Sequence, residues 1–374
     1  MRRYLSALVL VLVAATSAAE PGYFRQPTLH DDRIVFVAEG DLWRAPVTGG
    51  VATRLTTHLE AESQPAFSPD GERIAFSASY EGPREVYLIA ADGGPPRRLS
   101  YDGGRAIVTG WTPAGRVLYR SSSYSTLPST QLLAVDPEKL DLERIPLAQA
   151  SEGVYDREGG TLYFTRLNKQ GSHTKRYRGG TAQSIWRFGP RDDEARELTG
   201  DYEGTSSSPM WWKGRVLFLS DRDGTMNIWS MKPEGTDLRQ HSFHESWDVK
   251  DPDLQGGRVV YQLGADLRLL DLATGKDRLI PLRLASDFEQ SRERWITDPM
   301  PYLSATHIDE TGERIALTVR GTVFTAPVKQ GRFVHVTPRA PARHRSARFL
   351  PGGESLAALS AASGEVERWR DRAY

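Results

Sequence analysis

Phe67-Ser-Pro-Asp-Gly-Glu-Arg-Ile-Ala-Phe-Ser-Ala78 is the stretch of sequence that decides the fold of this chain. It predicts a short strand, a tight turn, and a second strand of small and branched apolar residues. In the turn, Pro69 fixes φ, Asp70 can accept a hydrogen bond from its own backbone, and Gly71 tolerates a positive φ. The stretch is therefore a β-hairpin with a sequence-encoded turn.

Degenerate copies of this hairpin recur along the whole chain. Most neighbouring copies are about 40 to 45 residues apart, which is the period of a four-stranded propeller blade. Their second strands are apolar at consecutive positions, as is typical of sheets covered on both faces. The aligned copies are Asp32-Arg-Ile-Val-Phe36, Gly115-Arg-Val-Leu-Tyr119, Gly160-Thr-Leu-Tyr-Phe164, Gly214-Arg-Val-Leu-Phe218, Gly257-Arg-Val-Val-Tyr261, Gly312-Glu-Arg-Ile-Ala-Leu317 and Gly353-Glu-Ser-Leu-Ala-Ala358.

The repeats predict an all-β fold in two parts. Six complete copies predict a six-bladed β-propeller of four-stranded blades over residues 23–287. Residues 288–301 lack the turn signal and are interpreted as a charged connector. Residues 302–374 are expected to form the first one to two blades of a second, truncated propeller. Because a blade needs all its strands and a neighbour to bury its faces, we expect the tail from Val366 to Tyr374 to be poorly ordered or mispaired.

The N-terminus has the pattern of a secretory signal peptide over residues 1–19. Arg2 and Arg3 form a basic region, residues 5–15 form an apolar core, and Ser17-Ala-Ala19 is a small-residue cleavage site. The core is too short to span a bilayer comfortably. We therefore expect a periplasmic or secreted protein, cleaved after Ala19, with no membrane span elsewhere.

Composition excludes several classes of function. The 374 residues include 48 basic and 48 acidic side chains, so there is no net charge. A nucleic-acid or anionic-membrane partner would require a concentrated basic face. The chain has no cysteine, which excludes disulfides, thiolate chemistry and cysteine-ligated zinc. We expect no cofactor and no nucleic-acid partner.

Other polar clusters do not predict an active site or a metal site. Ser121-Ser-Ser123 and Ser206-Ser-Ser208 lie in turn-like stretches, and no Gly-x-Ser-x-Gly elbow accompanies them. His241 and His244, with Glu245, lie in an extended strand and its turn, where such spacings do not converge on a metal. We therefore expect ordinary loop residues at these positions, and no catalytic residue or metal ligand.

Two further motifs are interpreted as structural. Asp221-Arg-Asp-Gly224 begins like a calcium loop but lacks the glutamate that such a loop needs, so it predicts a turn. Trp43, Trp186 and Trp229 occupy the same place in the repeat as Tyr87. This equivalence predicts that they pack between blades and do not form a ligand platform.

Four segments carry a resemblance to a known family. The Pro-Asp-Gly turn is also found in TolB-type and prolyl oligopeptidase propellers, so it does not discriminate. The segments are more specific, and together they resemble the first propeller of the tricorn protease family over essentially all of the mature chain. They are the opening Arg33-Ile-Val-Phe-Val-Ala-Glu-Gly-Asp-Leu-Trp43, the fourth-repeat insertion Tyr177-Arg-Gly-Gly-Thr181 with Ile185-Trp186, the fifth-repeat Ser220-Asp-Arg-Asp-Gly-Thr-Met-Asn-Ile-Trp229, and Asp237-Leu-Arg-Gln-His241.

The resemblance implies the N-terminal propeller part of a serine protease that degrades oligopeptides. In that family the propeller would gate or guide peptides to a PDZ-like module and a peptidase core. We expect no part of that core in this chain, and hence no peptide hydrolysis by it alone. The implied partners are oligopeptides and the C-terminal peptidase core; homo-oligomerisation of a full-length protein stays open. The alternatives are a stand-alone TolB-like periplasmic propeller that binds a protein, and an accessory propeller for an oligopeptidase of the α/β-hydrolase type.

The resemblance also implies one binding feature. In the tricorn family, two adjacent arginines in the entry loop of the third blade anchor the carboxyl terminus of a peptide. The matching loop here, residues 101–109, contains one arginine, Arg105, which can grip a carboxylate with two hydrogen bonds. On the insertion, Arg176 and Arg178 are the candidate contacts at the mouth of the channel.

Overall fold

The computed structural model describes residues 22–156, 160–169, 176–287, 295–337, 342–363 and 366–373. These residues belong to two compact units, one within 22–287 and the other within 295–373. The predicted signal peptide and residues 288–294 of the predicted connector lie outside the described residues. In the described part of the chain, no helix has the length and apolar character needed to cross a bilayer.

The first unit contains six antiparallel sheets of consecutive strands. The first two sheets consist of β1 (Arg25–His30), β2 (Arg33–Ala38), β3 (Asp41–Pro46) and β4 (Gly50–Arg54), and of β5 (Glu62–Phe67), β6 (Arg73–Ala78), β7 (Glu85–Ala90) and β8 (Arg97–Arg98). The third and fourth consist of β9 (Ile107–Trp111), β10 (Val117–Ser121), β11 (Gln131–Val135) and β12 (Leu142–Arg144), and of β13 (Glu152–Tyr155), β14 (Leu162–Thr165), β15 (Ile185–Phe188) and β16 (Arg196–Glu197). The fifth and sixth consist of β17 (Ser206–Trp212), β18 (Arg215–Ser220), β19 (Asn227–Met231) and β20 (Arg239–Gln240), and of β21 (Val249–Gln255), β22 (Arg258–Leu263), β23 (Asp266–Asp271) and β24 (Asp277–Leu279).

The hairpin predicted around Gly71 forms as the sequence indicates. Phe67 of β5 pairs with Ile74 of β6, and Gly71 has a φ of 72°. Its N–H donates to the carbonyl of Ser68 at 2.8 Å. The Asp70 carboxylate accepts from the backbone N–H of Glu72 at 3.0 Å, so the predicted turn chemistry is confirmed.

The six sheets pack one on the next, and the sixth packs on the first. Strand β1 lies against β5 of the second sheet on one side and against β21, β22 and β23 of the sixth sheet on the other. One apolar cluster joins Phe36 and Trp43 of the first sheet to Val260 and Leu267 of the sixth. Each sheet thus has both faces covered, which explains why the second strands are apolar at consecutive positions.

Aromatic residues of the third strand pack inside the sheets and between them, as predicted. Trp43 is fully buried, and its indole Nε1 donates to the carbonyl of Ala38 at 2.9 Å. Each of these third-strand aromatics pairs across the strand with a phenylalanine, a type of contact that stabilises sheets. The pairs are Phe36–Trp43, Phe76–Tyr87, Phe164–Trp186 and Phe218–Trp229.

A hydroxyl group at a repeated position links the end of the outer strand to the third strand by a hydrogen bond. In four of the six sheets of the first unit, the hydroxyl of a serine or threonine just after the outer strand accepts from the first or second backbone N–H of the third strand, fourteen residues earlier. In the two remaining sheets the same position is a proline, which cannot do this. The hydroxyl residues are Thr56, Ser100, Thr199 and Ser242, and the prolines are Pro146 and Pro281.

A fifth strand extends the first sheet and was not predicted. β25 (Leu282–Leu284) pairs with β4 in parallel, with Leu282 opposite Gly50. The N–H of Gly50 donates to the carbonyl of Pro281 at 2.8 Å. The segment after the sixth sheet therefore folds back onto the first, although it carries no turn signal.

The second unit contains two further sheets. The first consists of β26 (Leu303–Ile308), β27 (Arg314–Val319), β28 (Thr322–Pro327) and β29 (Val334–His335), preceded by a short 3-10 helix, Met300–Tyr302. The second consists of β30 (His344–Phe349), β31 (Ser355–Ser360) and β32 (Glu367–Arg372). β32 pairs regularly with β31, so the expectation of a disordered or mispaired tail was wrong. Val323, Ala347 and Leu356 lie in a core shared by the two sheets, which orders the last strand.

Candidate functional site

The inner strands of the first unit surround a central channel. Its cavity has a volume of about 210 Å³. Residues from all six inner strands line it, including Gln26 of β1, Gln64 of β5, Gly153 of β13 and Asp251 of β21. A channel bordered by every sheet is the natural place for a ligand in such a ring.

Most inner strands carry a β-bulge where they border the channel. The register shifts in β1, β5, β9, β17 and β21. In four of them a polar residue with positive φ, an uncommon conformation for non-glycine residues, precedes a proline. These residues are Gln26, Gln64, Ser208 and Asp251, with φ values of 50°, 53°, 52° and 45°.

Cations gather at one side of the channel mouth, in a recess of about 780 Å³. Arg105, Arg120 and Lys169 line this recess together with Ser129. Ser129 is only 8% exposed, and its Oγ has no hydrogen-bond partner in the described part of the chain. A buried hydroxyl without a partner normally indicates an unfilled position for a polar ligand atom.

A second arginine accompanies Arg105. Arg84, which immediately precedes β7, forms an isolated parallel bridge with Arg105, and the N–H of Ala106 donates to the Arg84 carbonyl at 2.8 Å. Burial lowers the pKa of Arg84, and the charge of Arg105 lowers it further. The entry loop and the hairpin that joins β6 to β7 therefore bring these two arginines close together, a proximity that the sequence did not reveal, although Arg84 does not line the recess.

Arg120 lies where the recess meets the channel, since it lines both. Its Nη1 donates to Ser151 Oγ at 3.3 Å. Burial lowers the pKa of this guanidinium; Glu152 and Asp251 raise it, and Arg105 lowers it. Within the described residues no carboxylate lies close enough to Arg120 to form an ion pair, so this half-buried cation can accept an anionic ligand.

Acidic groups and the insertion border another part of the mouth, next to the cationic recess, with which it shares Lys169. A recess of about 360 Å³ there is lined by Glu152, Asp251 and Arg176. Arg176 Nε donates to the carbonyl of Gly224 at 2.5 Å; a contact of Arg176 with a ligand stays a prediction. Burial raises the pKa of Tyr202, and the charge of the exposed Arg178 nearby partly opposes that rise, but Arg178 lines none of the three recesses described above.

The expectation of loop residues was wrong for the serine clusters, because Ser121 ends β10 and Ser206 begins β17, whereas His241 and His244 lie outside strands, after β20. Ser121 and Ser206 are buried. His241 Nε2 lies 2.7 Å from Ser230 Oγ, but Ser230 is fully buried. Burial lowers the pKa of this histidine, and neighbouring arginines lower it further. His244 Nε2 lies 2.9 Å from the Tyr261 hydroxyl. The described residues contain no group of three or more potential metal ligands.

Residues 221–224 form a turn, as predicted. The N–H of Gly224 donates to the Asp221 carbonyl at 2.9 Å, and Gly224 has a φ of 99°. The Asp221 carboxylate is engaged by the Tyr202 hydroxyl and the Thr205 N–H. The motif is thus a connection between strands that helps to shape the mouth.

Most of the residues that line the channel were not predicted from the sequence. The available signal was the repeated pair of a polar residue and a proline at the same place in four inner strands. The pairs are Gln26-Pro27, Gln64-Pro65, Ser208-Pro209 and Asp251-Pro252. No such signal marks Arg120. It follows three apolar residues of β10, as a solvent-exposed charge at the end of a strand commonly does.

A ring of four-stranded sheets around a channel lined by the inner strands defines the β-propeller class. Within that class, the profile of the tricorn protease N-terminal beta propeller domain matches residues 21–276. The chain therefore belongs to the tricorn protease family, through the propeller domain with which that family begins.

Individual relatives agree. The tricorn protease homolog 1 of Streptomyces coelicolor is 32% identical over 340 residues, covering 87% of this chain and 31% of that protein. The tricorn protease of Thermoplasma acidophilum is 26% identical over 374 residues, covering 94% and 34%. The crystal structure of the tricorn protease has a TM-score of 0.71 and 23% identity, covering 93% of this chain and 35% of that one. The chain thus spans about a third of the length of these relatives.

Proposed function

We propose that this propeller receives oligopeptides in its channel and guides them to the peptidase core of a tricorn-like serine protease. The observation that carries the proposal is the group of cations that line the recess beside the channel mouth, Arg105, Arg120 and Lys169. A peptide produced by proteolysis always has a carboxylate at one end. A cationic recess that opens into a channel is suited to select such an end.

Arginine is well suited to this role because its planar guanidinium can donate two parallel hydrogen bonds to one carboxylate. Arg105 is exposed at the mouth, whereas Arg120 lies deeper, at the channel wall. The unpartnered Ser129 hydroxyl can donate one more hydrogen bond to a carboxylate oxygen in the same recess. We propose that Arg105 makes the first contact and that Arg120 and Ser129 hold the carboxylate.

The test is the binding of a synthetic alanine-rich hexapeptide to the purified full chain, measured by calorimetry. The peptide is used with a free carboxyl terminus and as its C-terminal amide. We expect the amide to bind at least about tenfold more weakly, because charge-assisted hydrogen bonds are lost. Arg105→Gln and Arg120→Met should weaken binding of the acid and leave binding of the amide unchanged.

Arg196→Gln is the matched control, because Arg196 is an exposed arginine on the outer strand β16 of the fourth sheet. It should bind both peptides like the unaltered chain. Equal affinities for acid and amide, or an unchanged affinity in both recess variants, would contradict a carboxylate-binding role. Capture of a folded protein by the mouth in the absence of peptide binding would favour the stand-alone binding module.

We also propose that the protein is exported and cleaved after Ala19, and that residues from about 302 onward begin a second propeller. The pattern of residues 1–19 supports the first part, and the two sheets of the second unit support the other. N-terminal sequencing of the mature protein from the producing cells tests export. A first residue of Glu20 is expected, and a retained Met1 would contradict it.

A further inference from the structure

Strand β13 differs from the other inner strands of the first unit in the regularity of its edge. Its four residues pair with β14 in unbroken register, from Glu152 opposite Thr165 to Tyr155 opposite Leu162. The other five inner strands each contain a register shift. Bulges twist an edge away and so prevent pairing with another chain. Only β13, among these six described strands, keeps a straight edge towards the channel.

The bulged strands also have some of their channel-side donors occupied by neighbouring sheets. The N–H of Gln64 donates to Gln26 Oε1 at 3.0 Å, and the N–H of Ser208 donates to Glu152 Oε2 at 2.8 Å. These donors are the bulged, positive-φ residues themselves. Side chains of one sheet therefore cover the exposed backbone of the next.

The backbone of β13 is free in this respect. The N–H of Asp156 donates to the Thr161 carbonyl at 2.9 Å. This hydrogen bond, with the register of the pair, fixes which residues of β13 turn their backbone groups towards β14 and which turn them away. By that alternation, the N–H and C=O groups of Gly153 and Tyr155 point away from β14, towards the channel. In the described part of the chain these groups have no partner in a neighbouring sheet, and Gly153 lines the channel cavity.

A cation stands at the start of this edge. Arg120 Nη1 is 3.3 Å from the hydroxyl of Ser151, the residue just before β13. The Glu152 carboxylate, which could repel an anion here, accepts from the Ser208 N–H of the next sheet. A strand running antiparallel to β13 would have its carboxyl terminus at this end, beside Arg120.

We propose that β13 binds an oligopeptide with a free carboxyl terminus by β-strand addition. The peptide lies antiparallel to β13 along the channel, exchanges backbone hydrogen bonds with Gly153 and Tyr155, and places its carboxylate at Arg120. Main-chain pairing of this kind gives affinity without demanding a particular sequence. The inference rests on the proposed function and specifies the binding mode of the peptide.

The test uses the free-acid hexapeptide in versions that carry one N-methyl group each, stepping along the chain. Methylation removes one N–H donor and leaves the carboxylate intact. We expect binding to the full chain to fall about tenfold when the methyl group is on a residue facing β13, and to change less than twofold on the alternate residues. A two-residue periodicity supports strand addition. A uniform effect, or none, overturns it.

Amide hydrogen exchange supplies a second measurement. Bound hexapeptide should slow exchange of the Gly153 and Tyr155 amides at least about tenfold. The Val154 amide, already paired with β14, should change little. Unchanged exchange at Gly153 and Tyr155 under saturating peptide overturns the inference.

The two proposals fail in different ways. Equal binding of acid and amide peptides, with a two-residue methylation pattern, would contradict the carboxylate site and keep strand addition. A strong preference for the acid without that pattern would do the reverse. Absence of peptide binding contradicts both.

Discussion

The joint between the first and sixth sheets contrasts with the channel side of β13. At the joint, Asp253 of β21 accepts from Thr28 Oγ1 at 2.8 Å and from the Leu29 N–H at 2.7 Å, across more than two hundred residues of sequence. At β13, by contrast, all four residues are only half-buried, and among the residues that the structure describes the channel-side backbone has no partner in a neighbouring sheet. An inner strand therefore stabilises the contact between two sheets at β21, whereas at β13 the inner strand leaves backbone N–H and C=O groups available to a ligand.

This difference shows how a ring of similar sheets can use some polar groups for stability and others for ligand binding. Polar groups that hold the ring together are paired with each other, because an unpaired buried donor costs about 1–3 kcal/mol. Polar groups that serve a ligand stay unpaired and cost some stability. A substitution should therefore affect folding at the joint, and binding on the β13 side.

The largest expected effect on folding comes from breaking the joint. Asp253→Ala leaves the Thr28 hydroxyl and the Leu29 N–H without their acceptor. We expect the free energy of unfolding to fall by about 2–4 kcal/mol, since hydrogen bonds to charged groups are the strong ones. Urea unfolding followed by tryptophan fluorescence measures the change.

Asp266→Ala, at the exposed first residue of β23 in the same sheet, is the control. It should cost less than about 0.5 kcal/mol, as substitutions without buried partners usually do. Equal losses in the two variants would show that the Asp253 contacts are not what holds the joint.

The pH dependence of stability provides a second test of the contribution of Asp253 to the joint. Burial raises the pKa of Asp253 above its ordinary value of 3.8, although the Leu29 N–H and the Thr28 hydroxyl oppose the shift. Between the unfolded and folded pKa values, the folded protein holds a proton that the unfolded chain has lost. Stability should therefore fall by up to about 1.4 kcal/mol per pH unit as the pH rises from about 4, and level off above the folded pKa.

The Asp253→Asn variant cannot titrate at this position. Its free energy of unfolding, measured in urea at each pH from 4 to 7 and subtracted from that of the unaltered chain, isolates the contribution of Asp253. A difference that increases with pH would mean that hydrogen bonding outweighs burial at this carboxyl group.

A smaller effect is expected at the outer edge of the fourth sheet, the sheet that contains β13. Thr199→Val removes the hydroxyl that accepts from the Ile185 N–H at 2.9 Å and preserves the shape of the side chain. We expect a loss of about 1 kcal/mol in the free energy of unfolding. Thr57→Val, at an exposed position beside the equivalent Thr56 of the first sheet, should change it by less than about 0.5 kcal/mol. Comparable losses in both would argue that threonine content, and not this hydrogen bond, matters.

The smallest effect on folding is expected at Arg120. Arg120→Met removes a half-buried cation that has no ion-pair partner in the described residues, so the free energy of unfolding should stay within about 0.5 kcal/mol or rise. The same substitution should abolish most of the preference for free-acid peptides. A destabilisation as large as that of Asp253→Ala would place Arg120 among the groups that hold the ring.

The site was predicted less completely than the fold, and two residues show why. Arg105 could be named from its loop, because loop length and position in the repeat are visible in the sequence. Arg84 could not be named, because it precedes a third strand and reaches Arg105 only through the contact of two sheets. The last strand, β32, was missed for a similar reason: the apolar core that orders it lies partly on β27, β28 and β30.

The sequence by itself determined the hairpins, their number, and the burial of both faces of each sheet. Turn chemistry and apolar runs are local properties, and they recur along this chain at the spacing of a blade. Only the tertiary structure decided that Asp253 meets Thr28, that β25 joins β4, and that β13 alone among the inner strands of the first unit keeps a straight edge. Those outcomes depend on contacts between residues far apart in the chain, and no local pattern specifies which polar group a neighbouring sheet will bring into reach.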